Sequence, residues 1–217
     1  MKKLLFLFLI SVVSISLTNA QSFLYEGFES GIPATWTQEH ITGTHNWTTN
    51  NGAYGGVVSS AYVGSANAVF FNADYTYYET MLVTPELNLS GTTAPILSFW
   101  HAQDDWYGDQ DTLGVYYKTT ASGTWQYLGS WNTSIDSWTL ETFALPNPSA
   151  TYYIGFKGYQ EYGHGVVIDE VNVFQPLPYD FLAINLDNDA VAPVGTDYSY
   201  FVEISNIGTN NDTYDLS

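Results

Sequence analysis

The sequence predicts an all-β domain, a sandwich or a barrel, on three observations. No stretch carries a long apolar period of 3.6 residues, so nothing reads as an amphipathic helix. Short β-branched and aromatic runs alternate instead with Gly, Asn, Ser, Thr and Pro, which is the pattern of many short strands between turns. The chain also lacks cysteine and is 17% aromatic. Its core therefore rests on apolar side chains rather than disulfides, and the composition is not that of a disordered chain.

The 217 residues leave room for one large β domain, or one domain and part of another. Residues 1–20 read as a secretory signal peptide: Lys2 and Lys3, an apolar run from Leu4 to Leu17, then Thr18-Asn19-Ala20 before a cleavage point. The run is shorter than the ~20 residues that span a bilayer, so no membrane insertion is expected after cleavage. Strands are expected at Ala68–Asn72, Ile96–His101, Thr112–Thr119, Thr124–Trp131, Trp138–Leu145, Tyr152–Tyr159 and Val166–Phe174, within a first domain over residues 21–175. Two close prolines mark residues 176–178 as a linker, since proline cannot continue a central strand. Beyond it, Tyr179–Leu186 and Tyr198–Ser205 read as strands around a turn at Val191–Gly195. Asn206–Asn211 is a second turn, and Thr213–Leu216 starts a third strand. So few strands leave open edges. Residues 179–217 are read as the start of an immunoglobulin-like domain in a fragment of a longer protein; the alternative is a tail that packs back on the first domain.

Charge narrows the function. After signal cleavage two lysines, Lys118 and Lys157, face 22 acidic residues, a net charge of −20. That excludes a nucleic-acid partner and disfavours an anionic membrane. Divalent cations are the natural counter-charge, although acidity also keeps an exported protein soluble. No catalytic apparatus stands out. There is no thiol, no serine in a nucleophile-elbow context, and no carboxylate pair fixed at a glycosidase separation. His40, His45, His101 and His164 form no paired ligand motif.

The stretch Phe23-Leu24-Tyr25-Glu26-Gly27-Phe28-Glu29, followed by Gly31-Ile32-Pro33 and Trp36, resembles the opening of the cleaved-adhesin, choice-of-anchor and MAM-like group of bacterial surface domains. Asn46-Trp47, Leu82-Val83-Thr84-Pro85, Leu97-Ser98-Phe99-Trp100, Asp111-Thr112-Leu113-Gly114-Val115 and Ile168-Asp169-Glu170-Val171 match further elements of that group in order. The resemblance covers roughly residues 22–174. It implies a jelly-roll β-sandwich of the kind found beside secreted peptidases and on surfaces of Bacteroidetes-type bacteria, and it likens the tail to immunoglobulin-like repeats. One departure is the segment Thr37–His45. Many relatives have an Asp-rich loop there, but here Glu39 is its only acid.

Strand alternation over Val166–Phe174 puts Val167, Asp169, Val171 and Val173 on one face. Three valines point that face inward, and a buried carboxylate is costly unless paired. With two lysines and no arginine in the mature chain, structural calcium is the expected partner; backbone amides of a bulge or turn are the alternative. Glu26, in phase with Leu24 and Phe28, and Glu29, from the Phe-Glu match, are its expected co-ligands. Asp104, Asp105, Asp109 and Asp111 form a second acidic cluster, either a calcium site led by Asp111, on its family match, or a solvated hairpin loop. Trp106 and Tyr107 share that loop and, with Asp104 and Asp105, are the candidate ligand-binding residues, because flat rings stack on sugar faces and carboxylates accept hydroxyl hydrogen bonds. Trp36, Trp47 and Trp100 are expected in the core. The predicted function is a non-catalytic adhesion or binding module, secreted or surface-attached, that contacts a host or neighbouring-cell protein or glycan. The alternatives are a carbohydrate-binding module and an accessory domain of a secreted peptidase or glycoside hydrolase.

Overall fold

The computed structural model describes residues 21–74, 76–176, 181–185 and 202–206. The signal peptide, linker residues 177–178, the turn at Val191–Gly195 and the strand at Thr213–Leu216 lie outside the described residues. In chain order the sandwich strands are β1 (Gln21–Glu26), β2 (Thr37–Thr42), β3 (Thr48–Asn50), β4 (Asn67–Phe70), β5 (Glu79–Val83), β6 (Ile96–Gln103), β7 (Thr112–Lys118), β8 (Gln126–Trp131), β9 (Ile135–Ala144), β10 (Tyr153–Tyr159) and β11 (Val166–Gln175). One sheet runs β3–β4–β11–β6–β9, with β1 also on β11, and the other runs β2–β5–β10–β7–β8. Every pairing is antiparallel. This is a jelly-roll sandwich. In the tail, β12 (Phe181–Asn185) and β13 (Val202–Asn206) pair as a separate two-stranded sheet.

Each strand read from the sequence in the first domain is present, several through the period-two alternation of a half-buried strand and β4, buried at all four positions, through a continuous apolar run. In β7, Leu113, Val115 and Tyr117 face inward; from β10, Ile154 and Phe156 meet them. Phe28, Trp36, Trp47 and Phe99 fill the same core, and each fully buried side chain of this size contributes roughly 1.5–3 kcal/mol. The segment Thr37–His45 corrects the loop reading. Residues 37–42 form edge strand β2 on β5, exposed at nearly every position, so the segment shows no apolar alternation. Trp100 also departs from expectation. It faces away from the core and stacks on Tyr62 with ring centres 3.8 Å apart. His101, one residue on, sits in the core against Phe99 and Trp131.

The most consequential departure is in β11. Asp169 pairs with Trp100 and Asn172 with Ser98, so Glu170 and Val171 together oppose one residue. This is a β-bulge, and Glu170 adopts φ 51° within it. The extra residue reverses the phase of the strand. Val166 and Ile168 face the core before the bulge, and Val171 and Val173 face it afterwards. Val167 belongs to a small cluster on the opposite side with Val58, Val69 and Ala102. Asp169, alternating with Ile168, therefore shares its face with Val167 but not with Val171 or Val173. It is buried by the β3–β4 loop rather than by the core.

Candidate functional site

Along one side of β11, β4 pairs with Val166–Ile168 and β1 with Val171–Gln175. The bulge lies where one partner strand gives way to the other, and acidic residues gather at this junction. Asp169 is fully buried. Its Oδ2 accepts the backbone N–H groups of Tyr62 and Val63 at 3.0 and 3.2 Å, and its Oδ1 accepts that of Glu170 at 2.8 Å. Burial pushes its pKa up to about 6, against the opposing pull of those amides. Glu29 accepts the Ser65 amide and hydroxyl and the Ala66 amide, and the Ser65 hydroxyl leads in holding its carboxyl below the ordinary range. Glu26 accepts the Phe28 amide at 2.6 Å. The Tyr25 hydroxyl donates to both Glu170 oxygens at 2.7 and 2.8 Å. That bond to Glu170, then burial, then the charges of Glu170, Asp169 and Glu26 raise the phenol to about 12. A Cβ placed on Gly27 would lie 2.8 Å from Glu170 Oε1 and 4.0 Å from Asp169 Oδ1, so glycine leaves a cradle facing two carboxylates.

A second region occupies one end of the sandwich, where the β3–β4, β4–β5, β6–β7 and β10–β11 loops converge. They enclose a cleft of about 360 Å³ lined by Tyr54, Gly55, Phe71, Asn72, Ala73, Trp106, Tyr162, Gly163 and His164. Tyr54 stacks on Phe71, with centres 4.5 Å apart and planes 15° off parallel. A Cβ on Gly55 would collide with the His164 ring, so glycine is required where these two loops touch. Carboxylates brace the loops from behind. Asp104 accepts the Val57 amide at 3.0 Å and the Ser134 hydroxyl at 3.2 Å, while its carbonyl accepts the His164 amide at 3.2 Å. Asp111 is fully buried and accepts the amides of Glu161, Gly163 and Gly165 at 2.7, 3.1 and 2.9 Å. Burial raises its pKa, opposed by those three bonds.

A 104-residue stretch of the chain is 34% identical to Lys-gingipain of Porphyromonas gingivalis and equally identical to Hemagglutinin A of that organism. The stretch is 46% of this chain but only 6% and 5% of those two proteins. The crystal structure of a cleaved adhesin domain of Lys-gingipain matches at a TM-score of 0.56 and 25% identity, over 69% of this chain and 96% of that domain. The jelly roll is similar to the cleaved-adhesin domains of Lys-gingipain. No family model matches the chain.

Within the jelly roll the four expected metal ligands do not form one set. Glu26, Glu29 and Asp169 are at the junction with Glu170, but Asp111 braces the loop end. Its partner Gly165, just ahead of β11, lies four residues before Asp169, about 13 Å at the rise of a strand. Among the described residues no three His, Asp or Glu side chains are gathered so as to hold one ion. The donor chemistry of the junction, oxygen only, still suits a hard cation. Of the expected ligand-binding residues, Trp106 lines the cleft and is 45% exposed. Tyr107, 96% exposed with φ 52°, stands on the tip of the adjoining turn and not in the cleft. Asp105 caps that turn through the Gly108 amide at 2.8 Å, and Asp104 is committed to the loop contacts above. The β6–β7 segment is also no hairpin loop, since β6 and β7 belong to different sheets. Tyr54, Phe71, Tyr162 and His164 were not foreseen. The available hint was glycine beside aromatic residues, as in Tyr54-Gly55-Gly56 and Tyr162-Gly163-His164-Gly165, where chains approach closely.

Proposed function

We propose that this domain is a non-catalytic adhesion or binding module of a secreted, multidomain surface protein, and that it meets a host or neighbouring-cell protein or glycan through its loop end. One observation carries the reading: four loops, braced by Asp104 and Asp111, hold an aromatic cleft open on a rigid sandwich. Loops on a rigid scaffold are where binding surfaces concentrate, and the matching solved structure is named a cleaved adhesin domain. Among the described residues no helix is long and apolar enough to cross a membrane. The test is capture of host cells on surfaces coated with the full chain. Trp106→Ala should lower capture, and Tyr127→Ala, on the exposed face of β8, should not. Equal effects of the two would sink the proposal. The accessory-domain reading has one observation behind it, the likeness to a small segment of Lys-gingipain, and the complete reading frame decides it.

We propose further that calcium acts at the junction rather than at the loop end. Glu26 and Glu170, which line the junction cleft, would supply its carboxylates, with backbone carbonyls and water filling the remaining positions; its charge would offset carboxylates that have no lysine beside them, since Lys118 pairs with Glu39 and Lys157 with Glu79 on the other sheet. Melting the chain in millimolar calcium and in chelator tests this. A rise in Tm that disappears in Glu170→Gln is expected; equal melting in both buffers would remove calcium from the account.

A further inference from the structure

Building on the binding-module reading, we propose that the loop-end cleft takes a short, uncharged stretch of glycan, with a neutral pyranose ring stacked on Tyr54 or Trp106. The lining combines aromatic faces with a few polar groups that both donate and accept. Tyr54 is 54% and Trp106 45% exposed, so each presents ring surface to the cleft, while Asn72, His164 and the Tyr54 hydroxyl supply hydrogen-bonding tips. A pyranose has the complementary anatomy. Its axial C–H groups form an apolar, slightly positive face that suits the negative face of an aromatic ring, and its equatorial hydroxyls ring that face at hydrogen-bonding reach.

Charge decides the class of glycan. No Asp, Glu, Lys or Arg side chain lines the cleft. Both described lysines are held by glutamates on the other sheet, at 3.2 and 3.0 Å. A sialylated or sulfated sugar would find no counter-charge here, with Asp109 and Glu161 lining the adjoining hollow. A basic peptide fits no better, since Asp104, the carboxylate behind the cleft wall, already accepts two hydrogen bonds within the protein. An uncharged ligand is what this surface matches.

Size and stiffness limit its length. A volume of about 360 Å³ is at the small end of the ~300–1,000 Å³ typical of small-molecule sites. The Tyr54–Phe71 stack, the Gly55–His164 contact and the Tyr54 amide bonded to the His164 carbonyl at 3.2 Å hold the walls in place, so little order is lost on binding.

The experiment is a glycan array probed with the full chain. It spans neutral gluco-, manno-, galacto- and xylo-oligosaccharides alongside sialylated and sulfated ones, with titration calorimetry on any hit. The expected result is binding confined to neutral glycans. Trp106→Ala should weaken it about tenfold, the scale of one lost aromatic contact, without changing the melting temperature; Tyr54→Ala should weaken it at least as much, with a small fall in melting temperature from the lost stack on Phe71; and Tyr127→Ala should leave it intact. Preference for sialylated or sulfated glycans, affinity unaltered in both cleft variants, or no neutral glycan bound at millimolar concentration would each overturn the proposal. Cell capture by the same variants separates this failure from failure of the module reading. Capture lost in Trp106→Ala with no glycan bound leaves the module standing with a protein ligand, whereas absence of capture removes the module itself.

Discussion

At the acid junction, Asp169 and Glu29 hold residues 62–66 through backbone N–H groups; at the loop end, Asp104 and Asp111 hold residue 57 and residues 161–165 in the same way. The two regions differ in what is left facing outward. Around the junction cleft Glu26, Glu29 and Glu170 remain on the lining, with Tyr25. At the loop end the carboxylates stand behind the wall, and Tyr54 and Trp106 remain. A chain with almost no cations meets its buried carboxylates with amide dipoles, which offset part of the cost of burying an anion but leave Asp169 and Asp111 above the ordinary carboxylate range. The acids singled out as ligands are therefore first of all fasteners of loops. On the proposed reading, a ligand would meet the aromatic rings that the fastened loops leave exposed, and a cation would meet the acids that stay exposed.

Removing one fastener from each region tests this comparison most severely. Asp169→Ala and Asp111→Ala each strand three N–H groups, and unsatisfied buried donors cost ~1–3 kcal/mol apiece. Each variant should lose about 3 kcal/mol or more in urea denaturation. Their effects on ligand should part company. Asp111→Ala should abolish capture through the loop end, and Asp169→Ala should preserve it wherever the protein is still folded. A loss below about 1 kcal/mol in either variant would mean that water replaces the carboxylate and that it fastens nothing.

A gentler separation comes from acid. His101 is fully buried in the core with neither ring nitrogen hydrogen-bonded; Glu141 Oε1 lies 3.6 Å from its Nε2, yet burial prevails and lowers its pKa to about 4. Between ~6.5 and that value the unfolded chain takes up a proton that the native imidazole refuses, so His101 costs stability as pH falls. Asp169 works in the opposite sense. Its native pKa of about 6 exceeds the unfolded ~3.9. The native state protonates first, and acidification from about 6 towards 4 relieves the cost of an ionised, buried carboxylate. His101→Leu should flatten the decline in Tm between pH 7 and 4.5, and Asp169→Asn should steepen it. Curves parallel to the parent in both variants would show that neither group titrates on unfolding.

How much of this could be read from the chain depends on locality. Strands β7 and β10 declare themselves through the alternation of large apolar residues, Leu113, Val115 and Tyr117 in one and Ile154 and Phe156 in the other, on the core face. Strand β2 does not, being an exposed edge, and β3 has only three residues. The phase reversal at Glu170 is hidden because apolar residues stand on both sides of the bulge, and either register looks plausible. The consecutive Val166-Val167-Ile168, however, already signals burial on both faces, and hence a loop over the outer side. Glu26, Glu29 and Asp169 were recognisable as neighbours once β1 and β11 were taken as adjacent. The cleft was not, since its rings come from four loops spread over more than a hundred residues, and no local spacing links Tyr54 to His164. Only Trp106 was identified, from its exposed, acid-rich turn.

The smallest effect bears on whether the exposed acids of the junction act as a group. Tyr25 is on the surface, so Tyr25→Phe should change stability by no more than about 0.5–1 kcal/mol, the scale of an exposed hydrogen bond. Its titration is the more telling observable. The phenol is held up to about 12 chiefly by its bond to Glu170. Ultraviolet difference titration of the parent should show one tyrosine assigned by Tyr25→Phe near that value, and Glu170→Gln should bring it down towards ~10. Calcium at the junction should lower it as well, because a divalent cation would draw Glu170 away from the hydroxyl and favour phenolate nearby. A Tyr25 that titrates unchanged in Glu170→Gln would show that the two side chains do not share a proton in solution. The junction would then lose its claim to be an electrostatic unit, and the loop-end cleft would be left as the one functional surface of the domain.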